Sequence, residues 1–312
     1  MALIKMHRQG WAIGFTALGF LALMIVPSMG ALPLLVDQTL QRVMLFALVA
    51  VLVALLGGAR ALVPRASGLR RALREGRYPV LLALALCALE VLGLLQAGAV
   101  GEAVAISPAW AVDLVQVALF CASVGLYEEA LFRVLFLGGL LSRHGGTRNG
   151  VVGSVLVSSV AFGAAHVILS ASLDPIVLIQ MLLKTVQTTF IGLLLGAVYV
   201  RTRSFVGVAA LHALTDFLLM VPLALLGGLG DSLGTYVSGG DGLAAVVEGL
   251  VLVAVYVVVV ALYVPAAVRA WKLLESAPVP EAGPFLEGWG PRADDDARLV
   301  TEDSRPVRPS GL

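Results

Sequence analysis

Six ionisable residues lie inside strongly apolar stretches of the chain, in three short patterns. The first is Glu128-Glu129-Ala130-Leu131-Phe132-Arg133, the second Phe162-Gly163-Ala164-Ala165-His166, and the third His212-Ala213-Leu214-Thr215-Asp216. A charge placed at bilayer depth costs roughly 2.5–3.5 kcal/mol on insertion scales, so each such residue is a functional candidate by default. Glu129 and Arg133 are four residues apart, the helical spacing at which a carboxylate meets a guanidinium. Glu128 points about 100° away around the same helix and is left without that partner. An unpaired carboxylate held away from water suits a general base or acid working near neutrality. His212 and Asp216 share a helix face by the same four-residue rule. Only four histidines are present, and His7 and His144 lie near the N-terminus and in a predicted turn. The other two, His166 and His212, are both intramembrane.

The elements that must carry these residues are membrane helices. The chain has 312 residues, of which 13% are charged and 59% hydrophobic, with a mean hydropathy of +0.97. A soluble domain carries roughly 25% charged residues. Composition therefore excludes a soluble enzyme, a disordered protein and a disulfide scaffold, and leaves an all-α polytopic helical bundle whose first partner is the lipid bilayer. A net charge of +1 gives no reason to expect nucleic acid. Cys87 and Cys121 both sit in apolar runs, so no disulfide framework is indicated. About eight spans are predicted, near Trp11–Leu32, Val43–Leu56, Tyr78–Ala97, Ala109–Leu141, Val151–Ser170, Pro175–Val200, Phe205–Leu226 and Leu243–Val268. The second is marginal in length and the fourth is long for a single crossing.

Basic residues concentrate at alternate ends of these spans. Lys5 and Arg8 precede the first; Arg60, Arg65, Arg70, Arg71, Arg74 and Arg77 join the second to the third. Arg143 and Arg148 follow the fourth, Arg201 and Arg203 the sixth, and Arg269 and Lys272 end the eighth. Arg42 is the exception on the other side. This pattern predicts both termini in the cytoplasm. The first segment also has a basic start and small residues at 28–31, like a signal peptide, but its apolar run is long for one and a retained helix is expected. Asp113 and Glu248 fall near predicted helix starts, where a carboxylate is favoured. Glu90 and Lys184 are deeper, and a structural pair between them is one reading. Residues 1–274 are expected to form the membrane domain. Residues 275–312 hold 12 of the 41 charges and 6 of the 14 prolines, and are expected to be a disordered, dispensable tail.

Helical rise brings the candidates to similar depths. Glu128 lies 13 residues before Leu141, roughly 20 Å along a helix, and His166 lies 17 residues after Asn149, roughly 26 Å. His212 is about 10 Å below the end of its helix. A site in the cytoplasmic half of the membrane follows.

The three patterns, read in order as EExxxR, FxxxH and HxxxD, resemble the CAAX protease and bacteriocin-processing (CPBP, or Abi) family of intramembrane proteases. The similarity covers about residues 110–220 and includes Gly192, Gly196 and the Arg201–Ser204 turn. The resemblance implies an intramembrane endopeptidase acting on a membrane-associated protein or peptide, in a bacterial inner membrane given the composition. It implies Glu128 as the base that activates a water, with His166 as its partner. Glu129 would support the site while held by Arg133, and His212 with residue 216 would stabilise the oxyanion or bind a metal or water. The family often has Asn at the last position. An ionised Asp cannot donate to an oxyanion, so Asp216 would instead orient His212, bind a metal or carry a proton. Glu128, His166 and His212 could hold zinc with water in the fourth position, and a metal-free water is equally drawable.

Two other readings compete. Relatives of the family also act by binding, so a non-catalytic regulator, immunity or scaffold protein is the alternative. A transporter would use the ionisable residues as a relay, but no inverted repeat or pair of broken helices is visible.

Overall fold

The computed structural model describes residues 7–26, 32–64, 66–99, 106–167, 173–226, 242–281, 283–285 and 289. Nine helices run through them: α1 (Arg8–Ile25), α2 (Leu34–Leu55), α3 (Ala66–Glu75), α4 (Arg77–Ala99), α5 (beginning Trp110–Glu129 and continuing to His144), α6 (Arg148–Ala165), α7 (Pro175–Thr202), α8 (Phe205–Leu226) and α9 (Leu243–Glu275). No strand occurs among the described residues. The small residues at 28–31, the end of the predicted fifth span at Ser170, and Asp294, Asp295 and Asp296 lie outside them.

Seven of these helices are long and apolar enough to cross a membrane, against about eight predicted. The one that falls short is α6, where the fifth span was expected. Arg148 and Asn149 at its start lower its hydropathy most, and its serines are buried inside the protein: Ser154, Ser158 and Ser159 are buried, and Ser158 Oγ donates to the Phe132 carbonyl at 3.0 Å. A helix packed against protein on its polar face needs no lipid-grade hydropathy. The marginal second span is longer than predicted. It starts nine residues earlier, after Pro33, so that Asp37 and Arg42 lie inside the helix.

Local signals explain the helix ends near the site. Asp174 caps α7 by accepting from the amides of Ile176 and Val177, with Pro175 in the first turn. Arg203 closes α7 in the left-handed region at φ 51. Thr147 caps α6 by accepting from the Gly150 amide. Asp113 accepts from Ser107 Oγ at 2.8 Å in the first turn of α5, as its place near a helix start suggests.

α5 is the central rod. It packs on α2 and α8, while α7 packs on α6 and α9. Ala130–Leu137, in the middle of α5, winds as a π-helix and is almost wholly buried. Such widened turns recur at functional sites. Where helices meet most closely, glycine makes room. A Cβ on Gly125 would come within 2.6 Å of the Ala209 carbonyl, and one on Gly163 within 2.6 Å of the Thr185 carbonyl.

The described residues after Glu275 (276–281, 283–285 and 289) are packed against the helices, where a disordered tail was expected. Arg148 donates to the carbonyls of Leu274 (2.8 Å), Glu275 and Ala277 (3.0 Å), and Arg201 donates to Ser276 (2.7 Å). Glu281 is buried, pairs with Arg203 at 2.9 Å and donates its amide to the Gly145 carbonyl. Phe285 and Trp289 belong to the main core; Phe285 lies against Gly58 and Gly138, and Trp289 against Tyr199. Composition reads this segment as solvated because it averages over a few buried anchors. Three arginines that mark the basic ends of the spans serve here as clamps on its backbone and on Glu281.

Candidate functional site

The π stretch carries the foundation of the site. Glu129 and Arg133 are fully buried, and Arg133 Nε donates to Glu129 Oε2 at 2.9 Å. The other Glu129 oxygen, Oε1, accepts from His212 Nδ1 on α8 at 2.9 Å. One carboxylate thus joins two helices through charge-assisted bonds, the strong kind. The Arg133 guanidinium lies over the Phe162 ring, 4.7 Å from its centroid. Phe162 also stands edge-on to His166 (4.6 Å) and His212 (5.7 Å). This one ring holds the arginine and both imidazoles in place.

Above that foundation the six residues predicted from sequence all meet. His166 Nε2 and His212 Nε2 each stand 3.8 Å from Glu128 Oε2, and His212 Nε2 stands 3.2 Å from Asp216 Oδ2. Glu128 and His166 were expected at depths within about 6 Å of each other. Exposure rises outward, from zero at Glu129 and Arg133, through 6% at His212, to 18% at Glu128, 26% at His166 and 36% at Asp216. The accessible rim is therefore Glu128, His166 and Asp216.

Hydrogen-bond chemistry fixes the roles of the rings. His166 Nδ1 lies 2.8 Å from the Phe162 carbonyl, which can only accept, so Nδ1 carries the hydrogen and donates. Nε2 is then the atom turned to Glu128. Glu128 Oε2 is buried and accepts no hydrogen bond from the protein. At 3.8 Å from two nitrogens it is beyond the range of a direct hydrogen bond to either.

His212 is engaged on both sides, by Glu129 at Nδ1 and Asp216 at Nε2. A metal-ligating nitrogen must offer a lone pair, whereas a nitrogen bonding to a carboxylate must offer a hydrogen. Among the described residues no three His, Cys, Asp or Glu are arranged to hold a metal. The zinc set Glu128, His166 and His212 does not fit the side chains as they stand, and no step below runs through it.

Some contributors were not among the predicted site residues. Phe162 was part of a quoted pattern, but its role as a shared platform has no signature in spacing. Lys184 does not pair with Glu90 in the structure; it interacts electrostatically with Asp216 instead, and Glu90 is exposed on α4. Arg42, singled out only as an exception to the basic-end pattern, interacts with Glu128 from α2. Its guanidinium Nη1 donates to Gln41 at 2.6 Å and its Nε is buried without a partner. Charge at bilayer depth was the signal that could have found both.

Residues 109–218 match the family model described as Type II CAAX prenyl endopeptidase Rce1-like. The matched segment spans α5 to α8 and contains all six residues. No curated protein and no solved structure matches the chain.

Proposed function

From the match of residues 109–218 to the Rce1-like CAAX endopeptidase family model, we propose that the protein is an intramembrane endopeptidase that hydrolyses a peptide bond of a membrane-associated protein or peptide by a water activated at Glu128. One observation supports this above the others. Glu128 Oε2 is the one buried carboxylate oxygen of the described residues that accepts nothing from the protein, and it faces the Nε2 atoms of two histidines at 3.8 Å each.

In this reading Glu128 accepts a proton from water as the oxygen attacks the scissile carbonyl carbon. The carbonyl π electrons move to oxygen, and the resulting oxyanion is stabilised by the His212 Nε2 hydrogen, which turns to it from Asp216 while Glu129 holds the ring through Nδ1. His166 positions the water through Nε2 while its other nitrogen stays tied to the Phe162 carbonyl. When the tetrahedral intermediate collapses, the C–N bond breaks and the proton held on Glu128 passes to the leaving amine. Asp216 orients His212 and does not donate. Lys184 beside it supplies compensating charge in a medium where an unbalanced carboxylate is costly. The basic ends of the spans face the cytoplasm in this proposal.

The test compares cells making wild-type protein with cells making Glu128→Gln at equal abundance, cataloguing new peptide termini in the membrane fraction by mass spectrometry. Termini confined to wild type are expected, and they would name the substrate. Identical terminomes with folded protein and an unchanged cellular effect would overturn proteolysis and favour the non-catalytic regulator.

A further inference from the structure

α2 carries an arginine where its own pattern calls for a core residue. Leu35, Val49 and Leu56 recur at multiples of seven residues, two helical turns, and all three are buried. Arg42 holds the remaining place in that series. Leu45, Leu52 and Val53 widen the same buried stripe, and α2 packs chiefly on α5. This register turns Arg42 toward Tyr127 and Glu128 of α5, with both of which it interacts electrostatically. The Tyr127 hydroxyl is already engaged, donating to the Gly19 carbonyl of α1 at 2.9 Å.

The guanidinium is anchored at one nitrogen and unfilled at another. Gln41 Nε2 donates to the Val26 carbonyl at 2.7 Å, at the end of α1, where helix carbonyls lack partners of their own. Gln41 Oε1 is then free to accept from Arg42 Nη1 at 2.6 Å. A carbonyl only accepts and a guanidinium only donates, so the Gln41 amide has this orientation and no other. Arg42 Nε is buried without a partner. Arg133 makes the contrast, since its Nε is bonded to Glu129 at 2.9 Å. Arg42 feels the charge of Glu128 without closing on it.

Hydrolysis as proposed above moves one negative charge. It begins on Glu128. As Glu128 takes the water proton and the water oxygen bonds to the carbonyl carbon, the charge passes to the carbonyl oxygen. When the C–N bond breaks and the proton goes to the leaving amine, the charge returns to Glu128. A cation bonded directly to Glu128 would hold the charge on its starting atom and oppose the transfer. One that stands off with a donor unfilled is available to the oxygen that receives the charge, and a site shielded from water magnifies that effect. Resting on that reading of Glu128, we propose that Arg42 is a further catalytic residue: it balances Glu128 at rest and, beside His212, stabilises the tetrahedral oxyanion once the charge has moved. Gln41 is its positioning residue, tying the guanidinium to the end of α1.

The experiment measures kcat and KM of the purified full-length protein in mixed micelles, on a synthetic peptide spanning a cleavage site found by the terminome comparison. Arg42→Gln should lower kcat about 10²–10³-fold, the usual effect of losing one oxyanion donor, and leave KM within about twofold. Arg42→Lys keeps the charge and should recover most of the loss, which a packing role would not produce. Normal kcat in folded Arg42→Gln, a loss confined to KM, or no recovery with lysine would each overturn the assignment. Should Arg42→Gln not fold, Gln41→Leu serves in its place. It keeps the charge but releases its orientation, and should lower kcat about tenfold at unchanged KM; an unchanged kcat would overturn the assignment. Identical terminomes of wild type and Glu128→Gln would overturn the hydrolytic reading itself, whereas wild-type cleavage with full turnover by Arg42→Gln would overturn the role of Arg42 alone.

Discussion

Adjacent glutamates should fail in opposite ways. Glu128 Oε2 makes no hydrogen bond to the protein, so Glu128→Gln removes little that holds the fold together, and unfolding should move by less than about 1 kcal/mol. It does remove the proposed base. Positioned general bases contribute about 10²–10⁴ in rate, or about 3–5 kcal/mol of barrier, and cleavage should fall by that much. Glu129→Gln is also isosteric but meets a different environment. The carboxylate accepts from Arg133 Nε on one oxygen and from His212 Nδ1 on the other. An amide has one oxygen, and its NH2 would face a donor whichever way it is turned. Arg133 would be left fully buried and uncompensated, because Nη1 and Nη2 have no partner to fall back on. Removing one member of a buried pair costs about 3–5 kcal/mol, a large share of the roughly 5–15 kcal/mol by which proteins are stable. The assay is unfolding in mixed micelles by titrated dodecyl sulfate, run beside cleavage of the substrate that the terminome comparison identifies. If Glu129→Gln unfolds within about 1 kcal/mol of wild type, or Glu128→Gln loses as much stability as its neighbour, the division into foundation and reacting group is wrong.

Three further outcomes are expected. Phe285→Ala should cost about 3–5 kcal/mol of stability, measured by the same unfolding titration, because the ring is buried against Gly58 and Gly138; a change within about 0.5 kcal/mol would contradict the packing. Gly163→Ala should depress cleavage more than it depresses folding. Its methyl meets the Thr185 backbone and must push α6, with His166, away from α7 by an amount worth about 1–3 kcal/mol, and normal turnover would refute the close approach. Cleavage should survive dialysis against EDTA; loss that returns on adding zinc would show that His212 turns from Asp216 to a metal.

The candidate site was unusually legible because its logic is local. Four-residue spacing put Glu129 on Arg133 and His212 beside Asp216, and helical rise put Glu128 level with His166; the structure has these relations. What spacing could not reveal was tertiary. Nothing in Ala130–Leu137 distinguishes a π-helix from an α-helix, since the choice depends on neighbours such as Ser158 bonding to the Phe132 carbonyl. α6 was counted as a span from its apolar run, in which the burial of its serines against neighbouring helices is not visible. The residues after Glu275 were misread for a related reason. Prolines and charges dominate their average, yet a few groups anchor them: the side chains of Glu281, Phe285 and Trp289 and the carbonyls of Ser276 and Ala277. Lys184 was weighed against Glu90 on hydropathic depth, with no means of knowing that α8 brings Asp216 nearer.

The clamp formed by the last described residues also has a place in time. Ribosomes deliver about 5–20 residues per second, so Glu281 emerges roughly 4–16 s after Arg203, 78 residues earlier, and Ala277 roughly 6–26 s after Arg148, 129 residues earlier. All six candidate site residues are already synthesised by then. During that interval α5 to α8 are inserted without the segment that ties Gly145, Arg148, Arg201 and Arg203 together. A nascent or prematurely terminated chain would carry every reacting group and lack the brace on the ends of the helices that present them. Synthesis of the segment through Glu281 thus becomes a checkpoint, delaying a fully braced candidate site until that segment has been made.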